Sequence, residues 1–177
     1  MSESAVWIVL VVIVGGGIAA IVAYNVARAR RGSIEVSLPS TAFKPGDVIA
    51  GSFELHAKQP IEGRRLVVSL IGTQVTKTRE DGKTRSRSSE IFREEKLIED
   101  AREYPAEHRE THPFEIEVPD AVLPEQLNSP LGKALASGLR FAGASQTHLR
   151  WRIEARLVAK GIDLIASRRV SITPSTG

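Results

Sequence analysis

Hydrophobic positions along the chain follow two regimes. Residues 5–24, AVWIVLVVIVGGGIAAIVAY, run apolar without one charged side chain, while from Gly32 onward apolar and polar residues alternate with period two. Ile34, Val36 and Leu38 alternate with Glu35 and Ser37; Ile49, Gly51, Phe53 and Leu55 with Ser52, Glu54 and His56; Phe114, Ile116 and Val118 with Glu115 and Glu117. The cleanest run sets Leu149, Trp151, Ile153, Ala155 and Leu157 against Arg150, Arg152, Glu154 and Arg156, and LIASRRVSI follows a turn at 161–163. RRLVVSLIGTQV and SEIFREEKLI are β-rich but mixed. One apolar face per segment predicts antiparallel strands covering a core. About seven such strands, separated by turn signals, predict an all-β, two-sheet antiparallel sandwich over 34–173, with a short tail at 174–177. The exception is an insert at 125–146, where Leu131, Leu135 and Leu139 follow Ser129 and Pro130 and predict a short helix near 130–139.

The apolar run is twenty residues long, enough to cross a hydrocarbon layer of ~30 Å as a helix. A basic stretch before the run and a cleavage site after it, the marks of a secretory signal, are absent. Residues 1–27 are therefore expected to be a transmembrane anchor, and 28–33 a basic juxtamembrane linker. Arg28, Arg30 and Arg31 sit at the membrane surface in this reading, and Trp7 and Tyr24 lie near opposite interfaces. The arginines place the sandwich in the cytoplasm and the N-terminus outside, as a single-pass protein of the cell membrane. The bland alternative for the run is a buried core helix. Gly15, Ala19 and Ala23 recur every four residues, a stripe that lets another membrane helix, or a second copy of this one, approach closely.

Turn chemistry locates the hairpins. Lys44–Pro45–Gly46–Asp47 fits a type II turn, and Gly51 marks a bulge or a close backbone approach. Asp81–Gly82 is a two-residue hairpin signal joining 66–80 to 83–98. The segment 75–90, VTKTREDGKTRSRSSE, offers almost nothing to a core, and Lys77, Arg79, Lys83, Arg85 and Arg87 make its tip a candidate partner-binding element. The competing role for those charges is to keep an exposed strand edge from pairing with another chain.

Charge and composition narrow the chemistry. The net charge is +3, three positives adjoin the apolar run, and the remainder is close to balanced, so nucleic acid is not an expected partner. No cysteine is present, which excludes disulfides, thiol nucleophiles and cysteine-held zinc. No phosphate-binding glycine loop, nucleophile elbow or dinucleotide fingerprint occurs. His108 and His112 are spaced by four but are expected just before a strand, outside the helical context a metal pair of that spacing needs. No catalytic residue, cofactor or metal is therefore expected.

With the strands in order, the phrases FKPGDVIAGSFEL, RRLVVSLIGTQV, SSEIFREEKLI, HPFEIEVPDAVLP and HLRWRIEARLVAKG together resemble the N-terminal lobe of the arrestin family, from about Ser33 to Ile172. That family includes trafficking adaptors and bacterial sporulation-control-type relatives. The resemblance implies an immunoglobulin-like sandwich of one lobe, and it aligns the 75–90 hairpin with the arrestin finger loop; the missing catalytic motifs make the expected role non-catalytic. The proline-tyrosine motifs of the eukaryotic adaptors are missing, so ligase recruitment is not carried over. The expectation is a membrane-anchored scaffold, adaptor or accessory subunit with membrane-protein and bilayer partners. The alternative is an extracytoplasmic ligand-binding sandwich in the opposite orientation.

Overall fold

The computed structural model describes residues 24–80, 83–120 and 146–173. A short helix, α1, covers 24–31 and passes directly into the first strand. The strands are β1 (Gly32–Ser37), β2 (Ala42–Phe43), β3 (Val48–Ala57), β4 (Ile61–Glu80), β5 (Lys83–Glu99), β6 (Arg102–Tyr104), β7 (His108–Glu117), β8 (Gln146–Ala159) and β9 (Leu164–Ile172). The stretch 28–33, expected as a linker, is thus helical to 31 and part of β1 from Gly32. Among the described residues no helix is long and apolar enough to cross a membrane. The expected span, apart from Tyr24, and the expected helix at 130–139 lie outside them.

The strands form two sheets. One has the order β1-β3-β7; the other has the order β2-β9-β8-β4-β5, with β6 pairing the start of β4 beside β5. All neighbours run antiparallel except β2 and β9. The core lies between the sheets where the period-two faces meet. Ile34, Val36, Ile49, Phe53, Leu55, Phe114 and Ile116 come from the first, and Leu66, Val68, Leu70, Trp151, Ile153, Ala155 and Leu157 from the second.

Local chemistry fits each turn. Gly46 has φ +81°, which the second central position of a type II turn requires, and Asp47 N–H donates to the Lys44 carbonyl at 3.1 Å. Gly51 is a close approach and not a bulge: a Cβ there would lie 2.7 Å from Leu38 Cδ2. Irregularities fall instead in the β4–β5 ladder, at Leu66/Val67 and Gly72/Thr73, and in the β4–β8 ladder, at Gly63/Arg65.

The mixed pattern of RRLVVSLIGTQV has a tertiary cause. Strand β4 is central, and besides its core face it buries Val67, Ser69 and Ile71 on the opposite face. Ile71 lies in register between Arg93 of β5 and Arg152 of β8. Long arginine stems shield apolar surface while their heads stay wet, so a polar-looking neighbourhood covers buried residues.

Candidate functional site

From Thr73 the β4–β5 ladder runs without a register shift to Glu80↔Lys83, the pair that flanks the Asp81–Gly82 signal. Beyond Val75 it extends past the core, because the facing sheet is built from strands half as long. Its registers separate the expected binding residues. Lys77 pairs Ser86, whereas Arg87 pairs Thr76 and Arg85 pairs Thr78, which puts Lys77 on one face and Arg85 and Arg87 on the other. The backbones of Arg79 and Lys83 pair Thr84 and Glu80. Lys77, Arg85 and Arg87 therefore do not form one cluster.

The Lys77 face continues onto the outer surface of the large sheet. There a shallow depression is lined by Thr73, Val75, Ser88, Arg150, Trp151, Arg152, Ser167 and Arg169. Arg150 and Arg169 are exposed. Sequence reasoning missed these arginines as a group, since only the β4–β8 and β8–β9 registers bring them beside one another. Next to the depression, Arg93 holds Glu90 through two hydrogen bonds of 2.9 and 2.8 Å, which lowers the Glu90 pKa and raises that of Arg93. Glu154 accepts from Arg152 at 3.4 Å and pairs with Arg156 at 3.6 Å.

At the opposite end of β4, α1 is tied to the sandwich. Arg28 donates to the Ile165 carbonyl, and Arg31 donates to the Lys160 carbonyl at 2.6 Å. Lys58 Nζ reaches the Ala29 carbonyl at 3.0 Å, and the backbone N–H groups of Lys58 and Gln59 donate to the Arg31 carbonyl at 3.0 and 3.3 Å. Those contacts satisfy carbonyls that a helix C-terminus leaves open. Of the three arginines expected at a membrane surface, Arg28 and Arg31 thus engage the sandwich, and Arg30 is exposed. The stripe of Gly15, Ala19 and Ala23 lies outside the described residues.

A third polar group sits at the seam between the two sheets. His108 and His112 lie on β7, not before it as expected, and with Glu110 they occupy three successive inward positions. His108 Nε2 is 2.9 Å from Glu110 Oε2, and Arg102 Nη1 is 3.0 Å from the same oxygen and 2.7 Å from Glu99 Oε1. Tyr104 donates to Glu99 Oε2 at 2.7 Å. Burial first, then that bond to a carboxylate, pushes the Tyr104 pKa up. The hydrogen bond with His108, aided by Arg102, lowers that of Glu110. Glu99, Glu110 and His112 each offer a ligand atom within 4.8 Å of the others.

No protein-family model matches the chain. No curated protein matches it either. Among solved structures, the sporulation control protein Spo0M of Bacillus subtilis matches with a TM-score of 0.54 at 12% identity, over 80% of this chain and 49% of that one. A Pseudomonas fluorescens alkylpurine DNA glycosylase, AlkC, gives 0.34 at 12% identity, over 80% and 30%. That second score carries no argument about fold. The chain spans about half the length of the Spo0M structure. The likeness to Spo0M concerns the fold alone and supports an arrestin-like fold for this sandwich.

Proposed function

We propose that the protein is a membrane-anchored, non-catalytic scaffold, adaptor or accessory subunit of a membrane complex. Its sandwich lies in the cytoplasm and its N-terminus outside. The observation that carries this reading is the junction at α1. The apolar run leads into a helix whose last turn is held by side chains and backbone from the β3–β4 and β8–β9 turns. An anchor joined in that way transmits orientation, where a floppy linker would give only proximity. The arrestin-like fold adds support for a non-catalytic role.

The junction also sets what the hairpin can reach. Strand β4 begins at Ile61, beside the turn that grips α1, and runs twenty residues away from it. At ~3.3 Å per residue the hairpin tip stands about 65 Å from that end. Surface charge decays over ~8 Å at physiological salt. The tip and the arginine-lined face behind it suit an acidic segment of a protein partner that stands away from the junction.

Topology and partnership are tested together in native membranes. The chain should resist alkaline extraction, and a reporter active only outside the cytoplasm, fused after Gly177, should stay silent. A companion membrane protein should copurify in mild detergent. An active reporter would overturn the orientation and favour the ligand-binding alternative, and release by alkali would remove the anchor.

A further inference from the structure

Strand β7 changes character along its inward face. Phe114 and Ile116 belong to the core, but the three preceding inward positions are His112, Glu110 and His108. His112 is 7% exposed and its ring stacks on Phe53 at 5.2 Å, an environment that would accept a phenylalanine. Its Nε2 is buried without a hydrogen-bond partner and lies 4.0 Å from Glu110 Oε2. A buried polar atom left unpaired is costly and calls for an explanation. The orphaned nitrogen belongs to the same group as Glu99 and Glu110, with all three ligand atoms within 4.8 Å. The cation now facing the two carboxylates is the Arg102 guanidinium, whose side chain is 41% exposed and sits on a three-residue strand.

We propose that Glu99, Glu110 and His112, completed by His108, form a binding site for a divalent transition-metal ion of the zinc class, in which the metal takes the place of the Arg102 guanidinium. Two imidazole nitrogens and two carboxylates make a four-donor N/O set of the kind zinc accepts. Calcium and magnesium ask for six or more oxygens, which the four residues do not supply. Bonds of ~2.0–2.2 Å require Glu99, Glu110 and His112 to draw in by about an ångström, and His108, now 2.9 Å from Glu110 Oε2, to swing toward them. Tyr104, bonded to Glu99 Oε2, is placed to orient that carboxylate from behind, as outer partners of metal ligands do. The bound ion would clamp the β7 edge of one sheet to the β5–β6 edge of the other. It would free Arg102 to face solvent.

The test uses the purified full chain in detergent, stripped with a chelator and titrated with zinc alone, with affinity read by competition against a chromogenic chelator. Cobalt is substituted to report geometry by its visible absorption. The wild type should bind one ion per chain and give the intense spectrum of tetrahedral cobalt. Arg102→Gln removes the competitor of two exposed ion pairs, so its affinity should rise about tenfold. His112→Phe keeps the stacking on Phe53 and should abolish binding; Glu110→Gln, isosteric at the seam, should do the same if the first variant unfolds. Absence of a one-to-one complex in the wild type overturns the proposal. So does zinc affinity that is unchanged in the folded His112 or Glu110 variant, or not raised by Arg102→Gln.

Discussion

The Arg28 and Arg31 contacts decide whether the sandwich is gripped or merely tethered, so the double variant Arg28→Ala/Arg31→Ala is the informative perturbation. Helix α1 has eight described residues, too few to be stable alone, so its last turn depends on what holds it. Each arginine donates to one backbone carbonyl across the chain, Arg28 from a half-buried position and Arg31 from an exposed one. Taking about 1 kcal/mol for each hydrogen bond, the pair is worth about 2 kcal/mol. At ~1.4 kcal/mol per decade that is a factor of about 30 in the opening equilibrium. The backbone bonds from Lys58 and Gln59 to the Arg31 carbonyl survive, so the turn should loosen without detaching. Hydrogen exchange on the full chain in detergent reads this directly. Amides of 28–31 should exchange about 30-fold faster, while those of β3 and β8 keep wild-type protection. Unchanged protection at 28–31 would show that the arginines do not hold the helix. Faster exchange throughout the sandwich would show that they support the whole domain instead of a local junction.

Other outcomes follow from the same geometry. In Gly72→Val a Cβ would lie 2.8 Å from two Trp151 ring atoms and 3.1 Å from Phe92 Cβ, so the variant should lose about 1–3 kcal/mol, seen as a lower urea midpoint; an unchanged midpoint would mean that this crossing is not tightly packed. Replacing Arg79, Lys83, Arg85 and Arg87 with Ser should barely move thermal unfolding, since exposed pairs are worth ~0–1 kcal/mol, yet should weaken partner binding and reduce its salt dependence. Full affinity in that variant would leave the charges only their role in protecting the edge. The Glu90 carboxyl has its pKa lowered by Arg93, so its stabilising contribution is complete above the unfolded value of ~4.3 and disappears as pH falls through the lower folded value. Glu90→Gln should therefore cost little in urea at acid pH and at most ~1 kcal/mol at neutral pH, and an equal cost at both would refute the ion-pair origin.

The sequence alone determined the strands and most of their faces. Trp151, Ile153, Ala155 and Leu157 are buried as their alternation requires, and Ile49, Phe53 and Leu55 line the facing sheet. Gly46 located a turn, and the Asp81–Gly82 signal the point where β4 and β5 meet at Glu80↔Lys83, because both depend on backbone preferences local to a few residues. Tertiary structure decided whatever depends on which strand lies beside which. Val67 and Ile71 broke the period because a central strand is shielded on its outer face by arginines supplied by its neighbours. Lys77, Arg85 and Arg87 are close together in the chain but divide between two faces, since pleating sends successive side chains to opposite sides. Arg150, Arg152 and Arg169 meet Thr73 and Ser88 only through the registers of four strands. Glu99 and His112, thirteen residues apart and on different sheets, face one another because the seam closes there. Local propensity acts over a few residues and is written in them, whereas the pairing of distant strands is a property of the whole core.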